Sequence, residues 1–211
     1  MRVCGVDEAG RGSVIGPLVV ASVVTEDLRQ IESLGVKDSK LLTPKRRESL
    51  SIQILRHAEA HIKIVHPWEI DLMRKGMTMN EIECQVFAEV ISLSNADEAY
   101  IDAVDVDQER FAEDILARMK KKIRIISEHR ADRRYPIVSA ASIVAKVTRD
   151  HEVENIKREI GIDFGSGYPS DPRTIRALRG MISQNKISKY IRRSWETFRR
   201  LNIKELSQWE R

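Results

Sequence analysis

The hydrophobic pattern changes period several times along the chain, and each change marks an element. Val3-Cys4-Gly5-Val6 and Pro17-Leu18-Val19-Val20-Ala21-Ser22-Val23-Val24 are continuous apolar runs rich in β-branched residues. Runs of this kind predict strands covered on both faces, and the glycine-rich turn between them predicts an antiparallel pair. Asp27 to Ser33 reads as a short helix. Thr43-Pro44 starts another, with threonine as cap and proline at the first helical position, and Leu50, Ile54 and Ala58 follow at helical spacing. Ile62-Lys63-Ile64-Val65 predicts a third strand, ended by Pro67. Thr78-Met79-Asn80-Glu81 has the capping-box form, and Met79, Ile82, Val86, Val90 and Leu93 recur at intervals of three and four, which predicts an amphipathic helix.

Further on, Ala99-Tyr100-Ile101-Asp102-Ala103-Val104 predicts a strand. Asp107 caps a helix carrying Phe111, Ile115 and Met119, and Ile123-Arg124-Ile125-Ile126 predicts a further strand. Strands alternating with helices from Ala60 onward predict an α/β fold with crossover connections. After Glu128-His129-Arg130-Ala131-Asp132 and Tyr135-Pro136, the residues Ile137, Val138, Ala140, Ala141, Ile143, Val144, Ala145 and Val147 form a helix that is apolar all round and therefore buried. Gly161 to Pro172 is a glycine- and proline-rich loop centred on Tyr168. Asp171-Pro172 caps a helix bearing Ile175, Leu178 and Ile182. Ile191, Trp195, Phe198 and Leu201 are assigned to a last amphipathic helix that leaves its basic residues outside.

With 211 residues the chain can bury a full core. The formal charge of +4 hides an asymmetry, because Arg173 to Arg200 carries nine Lys/Arg against the single Glu196. That is the distribution of a polyanion-binding face beside a group of acids, although a solvated basic helix pair has the same composition. Cys4 and Cys84 form no disulfide framework or zinc pattern, and the five histidines lack HExxH spacing. No apolar stretch approaches the roughly 18 residues of a membrane span, and the N-terminus lacks a signal-peptide pattern, so a cytoplasmic protein is expected.

Three places depart from what packing requires. Asp7 and Glu8 sit side by side at the end of the first strand, directly before Ala9-Gly10-Arg11-Gly12; Asp102 interrupts an apolar strand; and Asp132 precedes the buried helix. Burying an unpaired carboxylate costs several kcal/mol, roughly, unless a cation or donors compensate it. A divalent metal would do so, and glycines flanking an arginine allow close backbone approach to a phosphate. Blander readings exist for each: a solvated Asp-Glu turn, a helix-dipole contact for Asp132, and packing rather than stacking for Tyr168.

Taken together the motifs resemble the ribonuclease HII family, the type 2 ribonucleases H in their archaeal-like single-chain form. The resemblance rests on Asp7-Glu8-Ala9-Gly10-Arg11-Gly12 with Gly16-Pro17; Lys37-Asp38-Ser39-Lys40; Tyr100-Ile101-Asp102; Ala131-Asp132 before Tyr135-Pro136; Ser139 to Val147; and Gly165 to Pro172, six motifs in order along nearly the whole chain. It implies a ribonuclease H-like mixed β-sheet flanked by helices over residues 1–160, and a junction-sensing loop with a basic C-terminal helical extension over 161–211. It also implies cleavage of the RNA strand of RNA/DNA hybrids and 5′ of ribonucleotides embedded in duplex DNA, leaving 3′-hydroxyl and 5′-phosphate ends. By the same resemblance Asp7, Glu8, Asp102 and Asp132 are the catalytic, metal-binding carboxylates. Gly10, Arg11 and Gly12 sense the ribose 2′-hydroxyl, Tyr168 lies against the following deoxyribose, and Lys40, Lys146 and Ser139 lie near phosphates. Ser13 replaces a frequent proline and Leu41 a frequent Lys or Gln, which puts loop stiffness in question.

Chemistry supports that expectation independently. Four carboxylates can hold two hard cations, Mg²⁺ or Mn²⁺, that activate a water and stabilise a leaving 3′-oxygen. The expected partners are the hybrid or ribonucleotide-containing duplex, with a monomeric enzyme, and the tail Glu205-Leu206-Ser207-Gln208-Trp209 is a weak candidate for a sliding clamp. A non-catalytic binding module leaves Asp102 unexplained. A type 3 ribonuclease H fits less well, given the intact Gly10-Arg11-Gly12 and the lack of an extra N-terminal domain.

Overall fold

The structure is a computed structural model that describes residues 1–36, 42–185 and 189–209, the side chains of 203–209 excepted. In chain order the described elements are β1 (Val3–Ala9), β2 (Leu18–Thr25), α1 (Leu28–Ser33), α2 (Pro44–His57), β3 (Glu59–Val65), α3 (Pro67–Met73), α4 (Met79–Ser94), β4 (Glu98–Asp102), α5 (Gln108–Arg118), β5 (Arg124–Glu128), α6 (Ala131–Arg134), α7 (Pro136–Ile160), α8 (Pro172–Ser183) and α9 (Glu196–Trp209). The strands form one sheet in the order β3-β2-β1-β4-β5. β1 is antiparallel to β2 but parallel to β4, and β4 is parallel to β5, so the sheet is mixed as the pattern implies. No helix among the described residues is long and apolar enough to cross a membrane.

The chain folds as two compact units, one of residues 1–9, 19–63 and 78–148, the other of residues 10–18, 64–77 and 149–211. In the first, β1 is central, and its burial explains the unbroken apolar run. A Cβ placed on Gly5 would lie 2.3 Å from the carbonyl carbon and oxygen of Ile137, so the strand and the start of α7 touch backbone to backbone. Ala140, Ala141 and Ala145 are fully buried and keep that helix slim where it packs. In the second unit Ile15, Phe164, Leu178, Ile191 and Phe198 belong to one apolar cluster.

The predicted caps Thr43, Thr78, Asp107 and Asp171 each accept a backbone N–H at the start of their helices, and Asp27, read as the first helical residue, caps α1 in the same way. Other expectations are corrected. Leu93 is 59% exposed, because the buried face of α4 runs through Val90 and Ile91 to Ser94. Ile191 is not helical; it forms an isolated antiparallel bridge with Ile15, and α9 begins only at Glu196. Nor do all basic residues of this stretch stay outside, since Arg192 is fully buried. The fifth strand extends to Glu128, and Asp132 lies in a separate short helix, α6, rather than in a polar linker.

Because the contact at Gly5 is with backbone, no side chain can move aside. Gly5→Ala is expected to lower the unfolding free energy by about 2 to 3 kcal/mol, measured by denaturant melts.

Candidate functional site

The acids of the first unit meet through strand register. β1 and β4 pair in parallel with Val6 opposite Ile101, so the next residues, Asp7 and Asp102, end up side by side. Asp102 closes β4, and its Oδ1 accepts the Ala131 N–H at 3.1 Å. That bond ties the start of α6 to the strand end and delivers Asp132, which is buried. Asp7, Asp102 and Asp132 each place a carboxylate oxygen within 4.8 Å of the others. At separations of about 4 Å, like charges repel by roughly 4 kcal/mol per pair at the effective dielectric of a protein site. An all-oxygen, all-acidic donor set of this kind suits a hard divalent cation such as Mg²⁺ or Mn²⁺ better than zinc.

Glu8 is not a member of that group. Glu8 is half-buried opposite Val20 of β2; its N–H donates to Asp7 Oδ1 at 2.7 Å, and its side chain also interacts with the Asp7 carboxyl. Burial pushes the Asp7 carboxyl above its ordinary range, against the opposing pull of the Ser142 hydroxyl and the Lys146 charge on α7. Lys146 Nζ donates to Ser142 Oγ at 2.7 Å, so the predicted lysine is beside the acids through a serine that sequence reasoning passed over. Its signal was available: Ser142 and Lys146 are four residues apart on one helix face. Ser139, expected near a phosphate, is fully buried, and its hydroxyl donates to the Val36 carbonyl inside the unit. Lys40, with Lys37, Asp38, Ser39 and Leu41, lies outside the described residues.

The other predicted residues fall in the second unit. Gly10 has φ +88°, and a Cβ there would lie 2.4 Å from the Pro17 carbonyl oxygen, so only glycine fits. Its N–H donates to the Tyr168 hydroxyl at 3.1 Å, which brings the two expected recognition elements together. Gly12 is different: a Cβ there would touch nothing nearer than the Tyr168 ring at 4.0 Å. The protein itself leaves room at Gly12. Arg11, between them, is half-buried. Tyr168 is held from behind by Arg149, whose guanidinium lies 4.6 Å from the ring centroid and donates to the Ser166 carbonyl. The Gly167 carbonyl accepts from Val14 and Ile15 N–H at 2.8 and 3.1 Å. Asp171 accepts from the Ser166 and Arg173 amides, which hold its carboxyl well below the usual carboxylate range.

Two arginines that sequence reasoning missed hold this loop. Arg149 is one. Arg192 is the other: Nη2 donates to Gly10 O at 2.7 Å and Gly16 O at 3.1 Å, Nη1 to Arg11 O at 2.8 Å, and Nε to Gly16 O at 3.2 Å. Burial, with Arg149 nearby, pushes its guanidinium down to about 9. Nothing in a run as basic as Arg192-Arg193 marks which residue turns inward. Ser13, in place of a common proline, donates through both N–H (3.2 Å) and hydroxyl (2.9 Å) to Gly10 O, so hydrogen bonds supply the stiffness the substitution put in question.

The chain is similar to known proteins along nearly its whole length. The family model described as Ribonuclease HII matches residues 4–198. Ribonuclease HII of Methanosarcina barkeri is 46% identical over 217 residues, covering 97% of this chain and 96% of that protein. The crystal structure of ribonuclease H2 from Pyrococcus horikoshii OT3 superposes with a TM-score of 0.91 at 43% identity, covering 98% and 99% of the two chains. The structure of the PCNA:RNase HII complex from Archaeoglobus fulgidus gives 0.88 at 42% identity, covering 93% and 96%.

The crowding of Asp7, Asp102 and Asp132 makes a stability test possible without turnover. An acid whose folded pKa is raised binds its proton more tightly in the native state. Its contribution to stability is therefore present at low pH and is lost as pH rises from the ordinary value of 3.8 through the raised one. In EDTA at neutral pH, Asp7→Asn is expected to be more stable than the parent by about 1 kcal/mol or more. The gain should vanish toward pH 3, as read from thermal melts across pH.

Proposed function

The chain belongs to the ribonuclease HII family, and we propose that Asp7, Glu8, Asp102 and Asp132 are the carboxylates through which it works. It is an endoribonuclease of the ribonuclease H type. It hydrolyses the RNA strand of RNA/DNA hybrids and cuts 5′ of ribonucleotides embedded in duplex DNA, giving 3′-hydroxyl and 5′-phosphate ends. The observation that carries the site assignment is the meeting of Asp7, Asp102 and Asp132 within 4.8 Å, from three separate elements. Glu8, next along β1 and with its side chain interacting with the Asp7 carboxyl, is proposed as the fourth ligand.

The reaction is metal-dependent, and Mg²⁺ or Mn²⁺ is the cofactor proposed for this oxygen donor set. When bound, the cations supply an activated water and stabilisation of the leaving oxygen. The chain's own residues do the rest. Asp7, Asp102 and Asp132 hold negative charge where it attracts cations, and Ala131 N–H fixes the orientation of the Asp102 carboxylate. Lys146, held by Ser142, offers a positive charge to a phosphate oxygen. Lys40 is proposed for the same purpose by resemblance. Ser139 is proposed to act indirectly, by anchoring Val36 at the start of the segment that carries Lys40.

Telling ribose from deoxyribose requires a contact with the 2′-hydroxyl. The Gly10-Arg11-Gly12 backbone is proposed to make it, with the open space at Gly12 admitting the sugar and the Tyr168 ring meeting the next deoxyribose. Exposed Arg173, Arg176, Arg179, Arg193, Arg199 and Arg200 supply sequence-independent attraction to phosphates, which weakens with salt. The likeness to the chain in the PCNA:RNase HII complex supports a sliding clamp as partner, engaged by the tail 205–209. Buried, free Cys4 and Cys84 suit a reducing, cytoplasmic setting.

The variant Asp7→Asn, expected to be the more stable protein, should lose cleavage of a duplex with one ribonucleotide by about a thousandfold or more while binding hybrid within about tenfold. Near-parental turnover by Asp7→Asn would remove the ligand assignment. Tyr168→Ala should reduce cleavage at a single ribonucleotide by roughly tenfold more than cleavage of a long hybrid. Equal losses on the two substrates would assign Tyr168 to packing alone.

A further inference from the structure

We propose that Arg192 is a positioning residue for ribose recognition, setting the peptide planes of Gly10-Arg11-Gly12 by holding the carbonyls on both sides of that loop. The inference rests on the reading of those glycines as the sugar-sensing backbone. Arg192 is fully buried, and its guanidinium donates to three carbonyl oxygens, those of Gly10, Arg11 and Gly16. Among the described residues no carboxylate forms an ion pair with it; its positive charge is met by carbonyl dipoles, by the Trp195 ring, 4.7 Å from the guanidinium carbon, and at longer range by Asp71.

A turn at the surface could satisfy its carbonyls with water, and a buried cation with no ion-pair partner is a costly way to satisfy them. What the arginine adds is geometry. Its planar fork addresses three oxygens in fixed directions at once, whereas a lysine ammonium is a compact point charge that cannot span them. A peptide plane turned by its carbonyl turns the N–H on its other edge in the same movement. The Gly10 carbonyl defines the Arg11 N–H, and the Arg11 carbonyl defines the Gly12 N–H. Both N–H groups of the candidate sugar contact are therefore aimed by one side chain.

The backbone on either side of Arg192 is fixed to the same loop. Arg192 N–H donates to Val14 O at 2.9 Å, and Gly16 N–H donates to Tyr190 O at 3.0 Å, flanking the Ile15 to Ile191 bridge. The strap gives the guanidinium a defined origin from which to aim. Gly10 O also accepts from Ser13 N–H and hydroxyl, so the tether has a second, separable member.

The test uses the full chain with Arg192→Lys, and with Ser13→Ala as the milder variant of the same tether. Steady-state cleavage is measured on a duplex with one ribonucleotide and on a long RNA/DNA hybrid, and amide exchange is followed over residues 10–16 and over β1 and β2. Arg192→Lys is expected to lower kcat/KM at the single ribonucleotide by about tenfold more than on the hybrid, with protection lost over 10–16 and kept in the strands. Ser13→Ala should shift the same ratio in the same direction by about two- to threefold. Equal losses on both substrates, tracking the folded fraction, would overturn the proposal and leave Arg192 a packing residue. So would an unchanged ratio in Ser13→Ala if Arg192→Lys does not fold. Cleavage of both substrates by the parent protein checks the functional reading separately, and the exchange measurement reads the tether without turnover.

Discussion

Everything at the chemical centre depends on carboxylates forced together against their own repulsion. Asp7 and Asp102 are neighbours because β1 and β4 are parallel and in register, and a slip by one residue would move every side chain of β1 to the opposite face and part the two acids. Asp132 is brought in by a single backbone bond, Ala131 N–H to Asp102. The apolar packing of β1 against α7, backbone to backbone at Gly5, is what makes the arrangement rigid enough to bear the repulsion. The core here stores unfavourable electrostatic energy that a divalent cation held by these carboxylates would relieve.

The loop proposed for recognition is built on the opposite principle. Where the acids are crowded by like charge, the loop 10–16 is crowded by donors. Gly10 O alone accepts from Ser13 N–H, Ser13 Oγ and Arg192 Nη2, while Gly10 N–H is taken by Tyr168. Such a loop has few alternative conformations, and its remaining N–H groups point where the tethers aim them. Rigidity of that kind favours selectivity between two sugars that differ by one hydroxyl, because a mobile loop could adapt to either. The substitution of Ser13 for a frequent proline fits here: proline would fix φ but remove the N–H that serine uses, and the added hydroxyl bond replaces one constraint with another.

The acids were legible in the sequence because they break a pattern. Asp102 inside an apolar strand and Asp7 at the end of a buried one stand out against their neighbours, and helix caps at Thr43, Thr78, Asp107 and Asp171 announced themselves by residue type and spacing. What was not legible obeys no local rule. Arg192 sits in a run of cations, where one inward-facing guanidinium is indistinguishable from its exposed neighbour Arg193. Its burial follows from carbonyls about 180 residues earlier in the chain, a distance that no periodicity reports. Ile191 was placed on a helix for the related reason that an isolated bridge of one residue to Ile15 has no period at all. Glu8 is legible as an acid beside Asp7, and its side chain does interact with the Asp7 carboxyl.

Motif adjacency therefore has two meanings in this chain. Asp7-Glu8-Ala9-Gly10-Arg11-Gly12 reads as one continuous signature, yet Ala9 is the last residue of one compact unit and Gly10 the first of another. The acids on one side of that boundary owe their geometry to strand register with residues near 102. The glycines on the other side owe theirs to side chains at 149, 168 and 192. A substitution that loosens Arg192 disturbs bonds made to the glycine side, and a substitution that weakens Gly5 packing disturbs the sheet. The acids and the glycine loop, proposed for chemistry and for selectivity, are thus held by different interactions although two residues of chain separate Asp7 from Gly10, and each can be altered through its own supports.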